Sequence, residues 1–254
     1  MKNIFLSLAL ACLAFTFAQA QPSRFSAERY LNGKGDTLNY RLLWPDANRL
    51  QRYPLVIFLH GSGERGSDNE KQLKWGVQNF ATDQMMIAHP AFVIAPQCPA
   101  NQSWANVDRK KGSRELKLNP QPSKPMQLLT ELIRQFVQKN QVDTTRIYIT
   151  GLSMGGYGTF DILERNPHLF AAAVPVCGAG DTTRAASIAH VPMWIFHGAE
   201  DPTVDPLCSK DMQEALLKAG AHPGLTLYPA VGHFSWLGVY SDPLMIDWLF
   251  RQHK

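Results

Sequence analysis

The chain has 254 residues and a formal net charge of +4, with acidic and basic residues interspersed through most of its length. That balance speaks against a dedicated nucleic-acid binder. No cysteine pair has zinc-ligand spacing and the histidines are scattered singly, so no metal and no cofactor is expected.

Residues 1–20 read as a removable leader: Lys2, an apolar run over 4–17, then Ala18, Gln19 and Ala20 as a small-residue cleavage pattern. The run is shorter than the roughly 20 residues a membrane span needs. Ala9, Leu10 and Ala11 before Cys12 make a poor lipoprotein-processing site. The mature chain is therefore expected to start at Gln21 and to be exported, to the periplasm or beyond the cell. No linker or repeat divides 21–254, and roughly 234 residues suffice for one α/β domain with a substantial core.

Short, nearly all-apolar runs at 55–59, 92–95, 146–150, 171–176, 193–196 and 225–228 are predicted strands buried on both faces. Helical patterns lie between them. The basic cluster Arg109, Lys110, Lys111, Arg114 and Lys117 reads as a solvated loop. Leu129, Leu132, Ile133, Phe136 and Val137 recur at helical spacing, and a helix over 157–166 is closed by Pro167. Cys208, Met212, Ala215, Leu216 and Ala219 form a further stripe, closed by Gly220, that favours a buried structural thiol. A last helix is capped by Asp242 with Pro243 as its first residue, and its Leu244, Ile246, Trp248 and Leu249 mix core and surface positions. Such alternation predicts a mostly parallel sheet with helices on both sides.

Residues 146–156 carry the strongest chemical signal. An apolar β-run breaks at Gly151, places Ser153 between glycine positions, and passes into a helix-compatible stretch. That pattern is a nucleophile elbow, in which glycines at 151 and 155 let neighbouring backbone approach a strained Ser. Serine needs a base within hydrogen-bond reach and an acid to orient that base. In a parallel sheet, ligands sit at the carboxyl ends of the strands. A chain order of serine, acid, histidine limits the base to His222, His233 or His253. His222 precedes the last strand and His253 lies at the C-terminal end, whereas His233 follows that strand on a loop opened by Gly232. Asp201 after the fifth run is the best-placed acid, with Glu200 beside it and Asp181 as a fallback. For the oxyanion, the amide of Met154 follows the nucleophile. A second donor, at Ser62, sits in the glycine-rich turn of His60, Gly61, Ser62 and Gly63.

Together, the segments at 60–66, 96–99, 151–156, 196–204 and 232–236 resemble the secreted bacterial carboxylesterases and "predicted peptidases" of the α/β-hydrolase superfamily. These are close to dienelactone hydrolases, polyhydroxybutyrate depolymerases and feruloyl esterases. The likeness runs over about 37–252 and implies a triad of Ser153, Asp201 and His233. Dienelactone hydrolases proper use a Cys nucleophile where this chain has Ser, which puts dienelactone cleavage in doubt. Only about a dozen residues separate Gly178 from Val191, so no large cap is expected. The insertion from Ala100 to Pro125 is long enough to form a functional rim. Trp104 within it, Trp236 beside His233, and Gln97 are the candidate substrate-binding residues, the two tryptophans as a wall for a sugar or phenolic ring.

Three cysteines remain in the mature chain, so at least one has no internal partner. In the superfamily's strand order two strands separate those ending at Cys98 and Cys177, about 14 Å at strand spacing and beyond disulfide reach. Any bridge is therefore expected to join Cys177 to Cys208. The expected activity is hydrolysis of carboxylic esters, including acyl or feruloyl groups on carbohydrates, through a Ser–His–Asp acyl-enzyme. The expected partner is a small-molecule or carbohydrate-linked ester. A serine peptidase with the same triad, and a non-catalytic carbohydrate-binding protein on a hydrolase fold, are the alternatives.

Overall fold

The computed structural model describes residues 23–46 and 50–254; the expected leader over 1–20, Cys12 within it, and the expected start at Gln21 lie outside the described residues. Strands β1 (Ser26–Leu31) and β2 (Thr37–Leu43) form an antiparallel hairpin that the apolar-run reading missed. Their residues alternate polar with apolar, as suits a sheet edge with one wet face, and neither contains a continuous apolar run.

The predicted runs all appear as strands. β3 (Tyr53–Leu59) and β4 (Phe92–Pro96) are followed by a separate small hairpin, β5 (Val107–Arg109) with β6 (Leu116–Leu118). Then come β7 (Val142–Leu152), β8 (Ala172–Val176), β9 (Trp194–Gly198) and β10 (Gly224–Tyr228). The main sheet has the order β1-β2-β4-β3-β7-β8-β9-β10. It is parallel from β4 to β10, and β2 runs antiparallel to β4.

Side chains alternate between two cores, because successive residues of a strand point to opposite faces. Leu55, Ile57 and Leu59 of β3 face one core and Val56 and Phe58 the other. The first is covered by α2 (Lys124–Lys139), α3 (Met154–Arg165), α4 (Ala185–Ile188) and α5 (Leu207–Lys218). The second is covered by α1 (Asp83–Ala88), α6 (Trp236–Val239) and α7 (Pro243–Phe250). The Asp242 side chain caps α7 by accepting from the Leu244 amide, and Pro243 opens the helix.

Two strands, β3 and β7, separate β4 from β8. Cys98, Cys177 and Cys208 are all buried free thiols, so the pairing of Cys177 with Cys208 is not made. Cys208 instead packs with Leu116 and Ala179.

Between β8 and β9 the chain holds only a 3-10 turn and α4, and no large cap covers the carboxyl ends of the strands. The 100–125 insertion is ordered by its β5–β6 hairpin. Its basic residues are exposed and partly paired, Arg114 with Asp211 at 2.9 Å and Lys117 with Asp181 at 3.7 Å. Among the described residues no helix is long and apolar enough to cross a membrane.

Glu164 on α3 is buried, accepts the Asp181 amide at 2.9 Å through Oε1, and has no partner for Oε2 among the described residues. Burial, helped by the nearby Asp181 and Asp161 charges, pushes its carboxyl up from 4.5 to about 9. The folded chain thus holds a proton that the unfolded chain releases above the ordinary Glu range. This contribution to stability is complete below pH 4.5 and is lost as pH rises through about 9. Glu164→Gln should remove that loss. In urea titrations between pH 5 and 9, wild type should lose stability relative to the variant by up to about 1.4 kcal/mol per pH unit. Parallel profiles would show that Glu164 is ionised in the fold.

Candidate active site

Ser153 sits where β7 turns into α3, at φ 53° and ψ −116°. A non-glycine residue there is strained by about 1–3 kcal/mol, held in place only by its surroundings. Those surroundings are tight. The Ser153 amide donates to Val176 O at 2.9 Å. A Cβ would lie 2.4 Å from Gly155 O if built on Gly151, 2.0 Å from Leu59 O on Gly155, and 2.4 Å from Val176 O on Gly156. The elbow therefore needs a third glycine, at 156, because α3 leaves the sheet directly over the end of β8.

His233 Nε2 lies 2.9 Å from Ser153 Oγ, and its Nδ1 lies 2.6 Å from Asp201 Oδ2. An ionised carboxylate only accepts, so Nδ1 carries the proton and Nε2 is free to accept from the serine hydroxyl. Burial works to raise the Asp201 carboxyl, but hydrogen bonds from His233 and from the Val204 and Thr203 amides outweigh it and hold it below its usual value. A Cβ on Gly198, at the end of β9, would lie 2.0 Å from Gly232 O, so the loop bearing His233 rests directly on the strand leading to Asp201.

Behind Asp201 stands a second imidazole to which the sequence reading gave no role. His197 is fully buried at the end of β9. Its Nε2 faces Val204 O at 3.0 Å and Asp201 Oδ2 at 3.2 Å, and its Nδ1 meets Ser209 Oγ at 2.7 Å. Burial lowers its basicity more than Val204 and Asp201 raise it. A neutral ring therefore donates from Nε2, to Val204 O and towards the same Asp201 oxygen that meets His233, and accepts the Ser209 hydroxyl. The signal in the sequence was a polar ring ending the apolar run of Trp194, Ile195 and Phe196.

The turn after β3 is tied down by His60. Its Nδ1 donates to Gly61 O at 2.6 Å and its Nε2 accepts the Cys98 amide at 2.9 Å. Burial pushes this ring down to about 4, so it stays neutral. A Cβ on Gly61 would meet Leu152 Cδ1 at 2.9 Å, which places the turn bearing Ser62 against the residue before Ser153. Met154 opens α3, where the first amides of a helix have no intrahelical acceptor.

Three expected binding residues have other work. Trp104 is 0% exposed; its indole donates to His60 O at 3.2 Å and its Cβ abuts Gly158. It is a core anchor for the 100–125 insertion because that segment needs an apolar root. Gln97 is also buried. Its amide nitrogen donates to Glu64 O at 3.1 Å and Asp68 Oδ1 at 2.9 Å, and its oxygen accepts the Asn69 amide at 2.7 Å, clamping the loop after β3. Trp236 is 5% exposed and stands edge-to-face with His233 at 5.1 Å, so it backs the imidazole rather than forming an open wall. The fallback acid Asp181 caps the turn at Thr183 and accepts the Leu118 amide, while His222, His253 and Glu200 are exposed.

Cys177, Asp201 and His233 bring one possible ligand atom each within 4.8 Å of one another. The thiol is pushed up to about 12 by burial and lies 2.7 Å from Ser235 Oγ, and both His233 nitrogens are engaged. The trio therefore does not suit a metal. A cleft of about 810 Å³ opens between the β5–β6 hairpin and α5, lined in part by Arg109, Arg114, Asp205 and Cys208 and by none of Ser153, Asp201 and His233. Arg109 also donates to the Tyr157 hydroxyl, one helical turn beyond Ser153.

This sheet, with a strained serine after its central strand and an acid and a histidine after the strands that follow, defines an α/β-hydrolase. The chain belongs to the phospholipase/carboxylesterase family of that class, whose profile it matches over residues 46–239. Among solved structures, a thermostable esterase is 39% identical with a TM-score of 0.84, over 91% of this chain and 64% of its own. A ferulic acid esterase shares the fold at 17% identity and a TM-score of 0.66, over 89% of this chain and 98% of its own. Esterase YpfH of Escherichia coli (strain K12) is 23% identical over 135 residues, 53% of this chain and 57% of YpfH. A bifunctional acetylxylan esterase/xylanase of Neocallimastix patriciarum is 22% identical over 163 residues, 64% of this chain and 21% of that protein. The chain thus spans less than two thirds of the thermostable esterase and of both curated relatives.

Proposed function

We propose that this chain hydrolyses carboxylic esters through an acyl-enzyme on Ser153. The observation that carries the reading is the continuous hydrogen-bonded line from Ser153 Oγ through His233 to the buried Asp201 carboxylate. Ser153 Oγ attacks the ester carbonyl carbon while His233 Nε2 takes the hydroxyl proton, and the carbonyl electron pair moves onto oxygen. The Met154 and Ser62 amides are the proposed donors to that oxyanion, each such donor being worth about 2.7–4 kcal/mol in related chemistry. Collapse breaks the bond to the alcohol, whose oxygen receives the proton from His233, and the acyl group stays on Ser153. Water then repeats the sequence with His233 as base and releases the acid. Asp201 stabilises the imidazolium in both halves.

The substrate class we infer is acyl groups on carbohydrates, including feruloyl groups; the acetylxylan esterase relative and the uncapped strand ends support it. Export is supported by the leader pattern over 1–20, and N-terminal sequencing of the secreted chain, a single domain over 21–254, should begin at Gln21. A fluorophosphonate should label purified protein at Ser153, as mapped by mass spectrometry, and should block hydrolysis of p-nitrophenyl acetate. An unlabelled, inactive protein would favour an inert binding role, and faster turnover of peptides than of esters would favour a peptidase.

A further inference from the structure

Around His233 lies an aromatic cluster that the steps above leave unused. Phe234, the next residue in the chain, is 55% exposed, as is Leu237 one turn on. The Phe234 ring is 4.8 Å from buried Trp236 and 6.0 Å from the half-buried Trp75, which itself stands 6.4 Å from Trp236. Trp75 is held in turn by Lys74, whose ammonium sits 4.8 Å over the ring, and by a hydrogen bond with Glu64. Exposed apolar rings in a soluble protein mark a contact surface when they are contiguous and rigidly backed. The indole N–H of Trp236 behind them is buried with no acceptor among the described residues.

Proton transfer fixes which half of a substrate reaches this surface. The leaving oxygen must come to His233 Nε2 to receive its proton. The group attached to that oxygen then lies on the His233 side of the site, where Phe234 is the next residue and its ring shares Trp236 as a neighbour with the imidazole, while the acyl carbon is held at Ser153. We infer that Phe234, with Trp75 beside it and Trp236 behind it, forms the subsite for the alcohol half of the ester, and that it takes an alcohol whose ring presents a flat carbon face, aryl or pyranose. This rests on the ester-hydrolase reading above. A flat ring is favoured because the cluster offers ring edges and faces, which attract C–H and π surfaces geometrically rather than filling a deep apolar pocket.

The step at which the subsite acts gives a test specific to it. The alcohol departs on acylation, so a leaving-group subsite affects acyl-enzyme formation and not its breakdown. Wild type, Phe234→Ala, Phe234→Leu and Phe234→Tyr would be compared on three esters of one acid: methyl acetate, phenyl acetate and a glucose acetate. Pre-steady-state kinetics would separate acylation from deacylation. For Phe234→Ala, and more weakly for Phe234→Leu, kcat/KM for a ring ester relative to methyl acetate should fall by about tenfold. Phe234→Tyr should restore it, and the rate of acetyl-enzyme breakdown should match wild type. A fall for phenyl acetate alone assigns aryl alcohols, and a fall for the glucose acetate assigns sugars. Unchanged ratios for both ring esters overturn the subsite, as does a deacylation rate that falls in parallel. Failure of wild type to form any acetyl-Ser153 adduct overturns instead the ester-hydrolase reading itself.

Discussion

Ser153→Gly should abolish ester hydrolysis while making the fold more stable than Ser153→Ala, which abolishes hydrolysis equally. Both variants remove the nucleophile. The expected loss in kcat/KM is at least about 10⁴-fold, leaving only what the oxyanion donors and binding supply. They differ in the backbone. At φ 53° and ψ −116° a Cβ is strained, and alanine retains that strain while glycine does not. Glycine also enlarges the conformational freedom of the unfolded chain, which offsets part of the relief, so a net advantage of about 1 kcal/mol over alanine is expected. Urea midpoints of the two variants measure this directly. Equal midpoints would mean that no strain is stored at the elbow, and retained turnover in either variant would remove Ser153 from the mechanism.

Gly155→Ala should be among the most damaging single substitutions at the site, through the fold rather than the chemistry. The added methyl would lie 2.0 Å from Leu59 O, 2.6 Å from Leu59 C and 2.9 Å from His60 O. These are backbone atoms at the end of β3, a strand paired on both sides and buried on both faces, so no side chain can swing aside. The cost should exceed about 4 kcal/mol, a range reserved for overpacking and backbone conflicts of this kind. Gly63→Ala is the control. Nothing lies within 4 Å of its Cβ, and its stability should stay within about 0.5 kcal/mol of wild type. Thermal and chemical denaturation of the pair decides the matter, and a folded Gly155→Ala protein of normal stability would contradict the close approach of α3 to β3.

The contrast between these glycines shows what can be read locally. The strand, the turn and the first turn of helix around Ser153 are specified by neighbouring residues, because a sharp strand-to-helix reversal admits only glycine beside it. The strand ends were legible for the same reason, since buried parallel strands must be apolar and polar residues can only follow them. His233 and Asp201 are therefore picked out by order and position, and the structure brings His233 to Ser153 and Asp201 to His233. The edge hairpin β1–β2 escaped because half-wet antiparallel strands look like mixed-polarity loop sequence.

The surroundings of the site depended on packing between distant segments. Trp104 and Gln97 look like rim residues in sequence, yet one roots the insertion in the core and the other clamps the loop after β3. His197 and Phe234 each adjoin a residue singled out for chemistry, and nothing local distinguishes the buried ring from the exposed one. By itself the sequence determined the elbow, the order of serine, acid and histidine, and the alternation that makes a parallel sheet, because each follows from short-range sterics and periodicity. Only the tertiary structure decided which aromatic rings face solvent beside His233 and which imidazole sits behind Asp201, because burial is set by what the rest of the chain places on top.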